Sequence, residues 1–116
     1  MEAELTPVEA LDVWRRATVE GVRREAPDLS ARQMALLLHV YLTPEPHTVR
    51  GLAEALKVSK PAISRALDRL GKLELVRRKT DEQDRRNVLV QRTVKGSIFL
   101  REYGEIIAAA LRDSGA

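Results

Sequence analysis

Hydrophobic residues in this chain follow a helical spacing as far as Leu73 and a strand-like spacing soon afterwards. Leucine and isoleucine recur at three- and four-residue steps before that point, the pattern of one apolar helix face. Leu75 to Lys79 and Asn87 to Arg92 instead have the character of two strands, and Thr80 to Arg86 between them is wholly polar. The sequence therefore predicts a mainly α fold that carries one two-stranded β-hairpin.

Capping residues and apolar spacing together predict about five helices. Each helix follows a serine or threonine that can accept a hydrogen bond from a backbone amide of the first turn. In chain order the predicted N-caps are Thr6, Ser30, Thr48, Ser59 and Thr93. The first helix is predicted over residues 6–26, because Pro27 disfavours helix at the residue before it. The last is predicted over residues 93–112.

The third and fourth helices are separated only by Lys57 and Val58, which is the spacing of a helix-turn-helix motif. The fourth helix, residues 59–73, has an apolar face and an opposite face of small and polar residues. Such a helix can bury one side while its first turns enter the major groove of DNA. The hairpin, residues 75–92, would form a wing beside it, whose arginines suit a narrow minor groove.

Charge is concentrated in the same part of the chain. Lys57 to Arg92 contains 11 Lys and Arg residues against 5 Asp and Glu, a net charge of +6, whereas the remainder carries −3. A basic middle between acidic ends is typical of a surface that binds a polyanion. The alternative is that these cations only solvate the surface.

Several classes of site are excluded or disfavoured by composition. The chain has no cysteine, which rules out disulfides and cysteine chemistry. It has no apolar run of about 20 residues for a membrane span, and an acidic start at Glu2 and Glu4, unlike a signal peptide. His39 and His47 lack a third ligand at metal spacing. We therefore expect an intracellular protein with no membrane association, no metal, no cofactor and no catalytic residues, and so not an enzyme.

Four segments carry a resemblance to a known family. They are Ser59–Leu70 in the fourth helix, Leu75–Arg78 in the first wing strand, Asp81–Arg86 at the wing tip and Thr93–Gly96 at the start of the last helix. Residues 30 to 100 as a whole resemble the winged helix-turn-helix of the MarR family of bacterial transcription regulators. The resemblance implies a homodimer that binds a pseudo-palindromic operator in double-stranded DNA.

The resemblance also implies a role for each candidate residue. The base readers on the recognition helix would be among Lys60, Pro61, Ser64 and Arg65. The wing residue that enters the minor groove would be Arg85 or Arg86, of which Arg86 is favoured. The candidates for phosphate contacts are Thr48, Ser59, Arg69, Lys72 and Arg78. Asp68 would pair with a wing arginine and orient the wing.

Two features depart from the family pattern. Glu74 stands in the turn before the wing where the family usually has glycine, and a left-handed backbone there would cost about 1 kcal/mol. The chain is also short, since family members usually carry more C-terminal helix. We expect the helices at 6–26 and 93–112 to form the dimer, with the interface residues Leu11, Trp14, Tyr103 and Ile107. The alternative is that both helices close the core of a monomer.

The functional prediction is a sequence-specific transcription regulator, a repressor, built as a single winged-helix domain over residues 1–116. It would work in the bacterial cytoplasm, associated with the nucleoid. The alternatives are a protein-interaction module on the same scaffold and a protein that coats DNA without sequence preference. A small-molecule effector is compatible with the family, but the sequence does not identify one.

Overall fold

The computed structural model describes residues 4–114 and contains five α-helices and a three-stranded antiparallel sheet. The elements are α1 (Pro7–Arg23), α2 (Ala31–Leu42), β1 (His47–Thr48), α3 (Val49–Leu56), α4 (Lys60–Lys72), β2 (Val76–Thr80), β3 (Val88–Arg92) and α5 (Val94–Asp113). The mainly α winged helix-turn-helix fold is thereby confirmed. The chain divides into two compact units, one formed by Leu29–Phe99 and the other by the chain up to Asp28 and from Leu100 onward.

All five predicted N-caps accept the expected hydrogen bond. In each case the side-chain hydroxyl oxygen of the cap accepts from the backbone amide three residues later, at 2.9–3.2 Å. In α1 and α2 the third helical residue also returns a side-chain bond to the cap amide, which completes a capping box. These local bonds explain why the helix starts could be predicted closely.

The end of α1 differs from the prediction. The helix ends at Arg23, and Arg24 is already extended at φ −73° and ψ 147°, although its amide still donates to the carbonyl of Glu20. Pro27 disfavours helix only at the residue directly before it. It therefore sets the last position a helix could reach, and α1 stops three residues short of Ala26.

The sheet has one strand more than the predicted hairpin. The strand order is β1-β3-β2, with β1 paired to β3 through His47↔Val90 and Thr48↔Leu89. In the wing itself, Arg78 lies opposite Val90. Directly opposed residues point to the same face of a sheet, so these pairings put Arg78 on the same face as the buried side chains of Val90 and His47. A two-residue strand is too short to show an alternating pattern, so sequence could not reveal β1.

The core of the Leu29–Phe99 unit is formed by large apolar side chains from α2, α3, α4, β3 and the turn before β2. Those that are almost completely inaccessible are Leu36, Leu37, Val40, Leu52, Ile63, Leu67, Leu70, Leu75 and Val90. Three of them belong to α4. Close packing on this side holds the helix in one orientation and leaves its opposite side facing solvent.

The turn into the wing is tied to the start of α5 by a hydrogen-bond network. The Tyr41 hydroxyl donates to the carbonyl of Leu75 at 2.6 Å and accepts from the amide of Thr93 at 2.9 Å. The Thr93 hydroxyl donates to the carbonyl of Glu74 at 2.8 Å and accepts from the amide of Gly96. Glu74 has a φ of 61°, so the backbone at this non-glycine residue is left-handed.

Candidate nucleic-acid interface

The solvent-facing side of α4 begins with the predicted base readers. Pro61 stands in the first turn, where its missing amide hydrogen costs nothing. Lys60, Pro61 and Arg65 are exposed, and Ser64 is half-buried. On the opposite side of the helix Ile63 and Leu67 are completely buried. The sequence pattern therefore predicted correctly which face of this helix is buried and which faces solvent.

A concave surface lies between α3, α4 and the wing, and it brings together residues that are distant in the sequence. Its polar and charged lining consists of Arg50, Lys60, Ser64, Arg78, Arg86 and Asn87. Two predicted base readers, Lys60 and Ser64, thus share one surface with the favoured wing arginine, Arg86. Pro61, Arg65 and Arg85 do not line it.

Arg50 and Asn87 were not among the predicted site residues. Arg50 is exposed on α3, and in the sequence it is indistinguishable from any polar residue on the outer face of a helix. Only the packing of α3 against α4 and the sheet brings it beside the wing. A basic residue in the first turn of the first helix of the motif was the one available signal.

The wing tip is folded by two aspartates. Asp81 accepts from the amide of Gln83 at 3.0 Å, and Asp84 accepts from the amide of Arg86 at 3.1 Å. The guanidinium of Arg86 also donates to Asp84, from Nε at 3.0 Å. The Arg86 side chain, then its amide, and more weakly the charge of Arg50 lower the pKa of Asp84. The Arg86 side chain nevertheless stays 86% exposed and within reach of a ligand.

An ion pair joins α4 to the wing. Arg78 on β2 donates to Asp68 on α4 at 2.7 Å. This is the kind of contact expected between the recognition-helix acid and a wing arginine. Arg78 thus contacts Asp68 and also lines the concave surface.

The remaining candidates for phosphate contacts lie at the starts of α3 and α4 and in the last turn of α4. The hydroxyl oxygens of Thr48 and Ser59 accept the capping bonds of α3 and α4, which leaves each hydroxyl hydrogen able to donate to a phosphate. Arg69 and Lys72 are exposed in the last turns of α4.

A second groove runs along the other flank of α4. It is lined by Ser30, Arg32 and Gln33 from the start of α2 and by Ala62, Arg65 and Ala66 from α4. Arg65, absent from the wing-side surface, therefore stands at the edge of this groove.

The predicted dimer residues lie in the other compact unit. Leu11 and Trp14 on α1 are 60% and 69% exposed, and Ile107 on α5 is 46% exposed. Tyr103 is half-buried, with the guanidinium of Arg24 stacked 5.1 Å from its ring centre. A Cβ on Gly21 would come within 2.7 Å of the Tyr103 hydroxyl, so α1 and this part of α5 approach closely at that point.

Residues 4–114 contain neither a cluster of metal ligands nor a membrane-spanning helix. No group of three or more histidine, cysteine, aspartate or glutamate side chains there could hold a metal ion. No helix within the same range has the length and apolar character to cross a membrane.

Comparisons with known proteins give one matching family and several solved structures of similar fold. A family model described as MarR family matches residues 28–87, which is 60 of the 116 residues. No curated protein matches the chain. The structure is similar to a MepR variant from a multidrug-resistant S. aureus clinical isolate, with a TM-score of 0.75, 21% identity, and coverage of 95% of this chain and 81% of that one.

Two further solved structures are informative. The complex of S. aureus MepR with DNA gives a TM-score of 0.66 at 20% identity, covering 88% of this chain and 75% of that one. The transcriptional regulator BldR from Sulfolobus solfataricus gives 0.63 at 26% identity, covering 94% and 84%. At these identities the MepR structures show a shared fold.

Proposed function

The chain belongs to the MarR family, and on that premise we propose that it is a transcriptional repressor that binds double-stranded DNA with sequence specificity. In this proposal two copies bind a pseudo-palindromic operator, in the bacterial cytoplasm and on the nucleoid. The recognition helix, residues 59–73, occupies the major groove, and the wing, residues 75–92, reaches the minor groove. The proposal includes no effector.

The observation that carries the proposal is the surface between α3, α4 and the wing. It holds four cationic side chains, those of Arg50, Lys60, Arg78 and Arg86. Asp68 and Asp84 pair with Arg78 and Arg86, whereas the charges of Arg50 and Lys60 are not balanced by an ion pair within residues 4–114. Like charges repel one another when they are gathered on one surface, and a bound polyanion relieves that repulsion. The structural neighbour MepR has been solved in complex with DNA, which supports the same class of ligand here.

Base reading is assigned to the first turns of α4. Lys60, Ser64 and Arg65 carry donors that suit the edges of bases in the major groove, where arginine and lysine pair with guanine. Arg86 is assigned to the minor groove, whose negative potential is strongest where the groove is narrow. The phosphate contacts fall to Thr48, Ser59, Arg69, Lys72 and Arg78, which fix the position of the protein without reading sequence.

The test is selection of duplex DNA from a random pool, followed by affinity measurements against salt. We expect an enriched palindrome, bound with a log–log salt slope of roughly −5 to −9, as about 6–10 phosphate contacts would give. A reporter promoter that overlaps the selected site should then be silenced by the protein. Steep salt dependence without an enriched sequence would mean a non-specific coating protein. Negligible binding at low salt would favour the protein-interaction module.

A pair of variants separates base reading from phosphate binding. Arg65→Ala should reduce discrimination between the selected operator and its point variants by about 1–3 kcal/mol at the base that Arg65 reads. Arg69→Ala should weaken binding to all sequences equally. If Arg65→Ala also weakens all sequences equally, the assignment of Arg65 as a base reader is wrong.

A further inference from the structure

On each flank of α4 stands an arginine from a neighbouring helix that has no role in the assignments made so far. Arg50 stands on the wing side, in the surface that also contains Lys60 and Ser64. Arg32 stands on the other side, in the groove that also contains Arg65. Both belong to the Leu29–Phe99 unit and both side chains are exposed.

Neither arginine is committed to a partner within residues 4–114. Ion pairs in this unit are formed by Arg78, Arg86 and Arg92, and no residue in the described part of the chain forms a hydrogen bond or ion pair with the guanidinium of Arg32 or Arg50. Asp84, the acid whose charge interacts with Arg50, is already bound by Arg86. One guanidinium group is therefore available on each side of α4.

The placement of these two arginines, one on each flank of α4, suits a helix that occupies a major groove. Residues 60 and 64 lie one turn apart and face the wing, whereas residues 62 and 66 face α2. The solvent-facing side that begins with Pro61 lies between these two flanks. The major groove is about 12 Å wide and is bordered on its two sides by phosphates of opposite strands. A helix seated in it meets one row of phosphates on each flank.

We infer that Arg32 and Arg50 bind phosphates on opposite strands, one on each side of the major groove that α4 occupies. This inference rests on the proposed function. It adds two contacts that fix the roll of the recognition helix, because a helix held at both edges cannot rotate about its own axis away from the bases. Arginine suits this task, since its planar fork can bind two phosphate oxygens at once.

The first measurement is the salt dependence of binding to the selected operator by Arg32→Gln and Arg50→Gln. Each variant should lower the magnitude of the log–log slope by about 0.9 for each phosphate that it no longer neutralises, and so by about 1.8 when two copies are bound. The matched control is Arg101→Gln, which removes an exposed arginine from α5 in the other unit and should leave the slope unchanged. Because all three side chains are exposed, each variant should retain the wild-type circular dichroism and unfolding temperature.

The second measurement assigns each arginine to a strand. Operators that carry a single neutral methylphosphonate are scanned along both strands. The wild-type protein should lose affinity at particular positions, and each variant should become insensitive at one of these positions in a half-site. The insensitive positions for Arg32→Gln and Arg50→Gln should lie on opposite strands.

The outcomes separate this inference from the proposed function. If the wild-type protein selects no operator, the proposed function fails first. If it selects one but either variant keeps the full salt slope, or both map to one strand, the two-sided contact is wrong while sequence-specific binding stands.

Discussion

At the scale of single residues, Gly96 lies where the start of α5 meets the turn before the wing. A Cβ at this position would overlap the Tyr41 hydroxyl and the Leu75 carbonyl, the pair joined by the shortest hydrogen bond of that network. Gly96→Ala should therefore destabilise the protein by about 1–3 kcal/mol, as overpacking does. The measurement is the urea unfolding midpoint.

Gly104→Ala provides the matched control for this substitution. Gly104 is also in α5, but apart from its chain neighbours and the adjacent backbone of the helix, no atom lies within 4 Å of its Cβ position. Replacing it should stabilise the protein by about 0.5–1 kcal/mol, because glycine is a poor residue for the middle of a helix. If both substitutions stabilise the protein equally, the close contact at Gly96 is not a constraint.

For Asp68, two explanations predict opposite changes in operator affinity when its negative charge is removed. If its role is to hold Arg78 and through it the wing, Asp68→Asn should weaken operator binding, although the substitution removes a negative charge. If it only repels phosphate, the variant should bind more tightly. The pair is on the surface, with side chains 38% and 59% exposed, so the free energy of unfolding should change by less than about 1 kcal/mol.

Fluorescence anisotropy with a labelled operator measures this difference. Glu54→Gln is the control, since it removes one acid from an exposed position on α3. We expect the control to bind as tightly as the wild type or slightly more tightly, and Asp68→Asn to bind more weakly than both.

At the scale of elements, the beginnings of helices could be predicted and some of their ends could not. Thr6, Ser30 and Ser59 cap as expected because a cap depends only on residues within one turn. The end of α1 at Arg23 and the strand at His47–Thr48 were missed. The strand exists only because β3 lies beside it, and that pairing depends on about 40 intervening residues that no local pattern describes.

Two acidic residues in the first two turns of α1 should make the stability of the helix depend on pH in the acid range. The backbone amide of Thr6 lowers the pKa of Glu9, and Arg16, followed by Arg15, lowers that of Asp12. A lowered folded-state pKa means that the charged form stabilises the fold. This contribution is complete above the ordinary values of 4.5 and 3.8 and is lost as pH falls through the lowered ones.

Far-UV circular dichroism during heating, repeated between pH 7 and about pH 3, measures this dependence. Glu9→Gln keeps an oxygen that can accept from the Thr6 amide but has no charge to lose. Its unfolding temperature should therefore fall less steeply than that of the wild type below pH 4.5. Parallel curves for the two proteins would show that the capping carboxylate does not contribute.

At the scale of the whole molecule, the candidate site is formed by tertiary packing, which brings together residues from separate elements. The sequence predicted Lys60, Ser64 and Arg86 through a family resemblance. The structure places all three on one surface, and their roles in DNA binding stay predictions. The sequence did not predict Arg32 or Arg50, because each is an ordinary exposed cation until packing brings it to a flank of α4. Residues defined by a motif could be found in this way, whereas residues defined by tertiary position could not.

The surface of α1 carries the last prediction, that the protein is a dimer in solution. Val8, Leu11, Trp14 and Val22 are each at least 60% exposed, and together with Thr18 they recur at three- and four-residue steps along one stripe of the helix. A contiguous exposed apolar stripe is characteristic of an interaction surface. An aromatic residue within it is the usual anchor of such an interface. The proposed palindromic operator requires that the partner be a second copy of the chain.

Trp14 is the only tryptophan in the sequence, so its fluorescence reports directly on this stripe. We expect its emission maximum to shift to shorter wavelength as the protein concentration rises, in step with the dimer mass measured by sedimentation. Leu11→Asp should keep the protein monomeric and retain the long-wavelength emission of an exposed indole. It should also bind a half-site as the wild-type monomer does and lose the additional affinity for the full palindrome. A Leu11→Asp protein that still sediments as a dimer would show that another surface forms the interface.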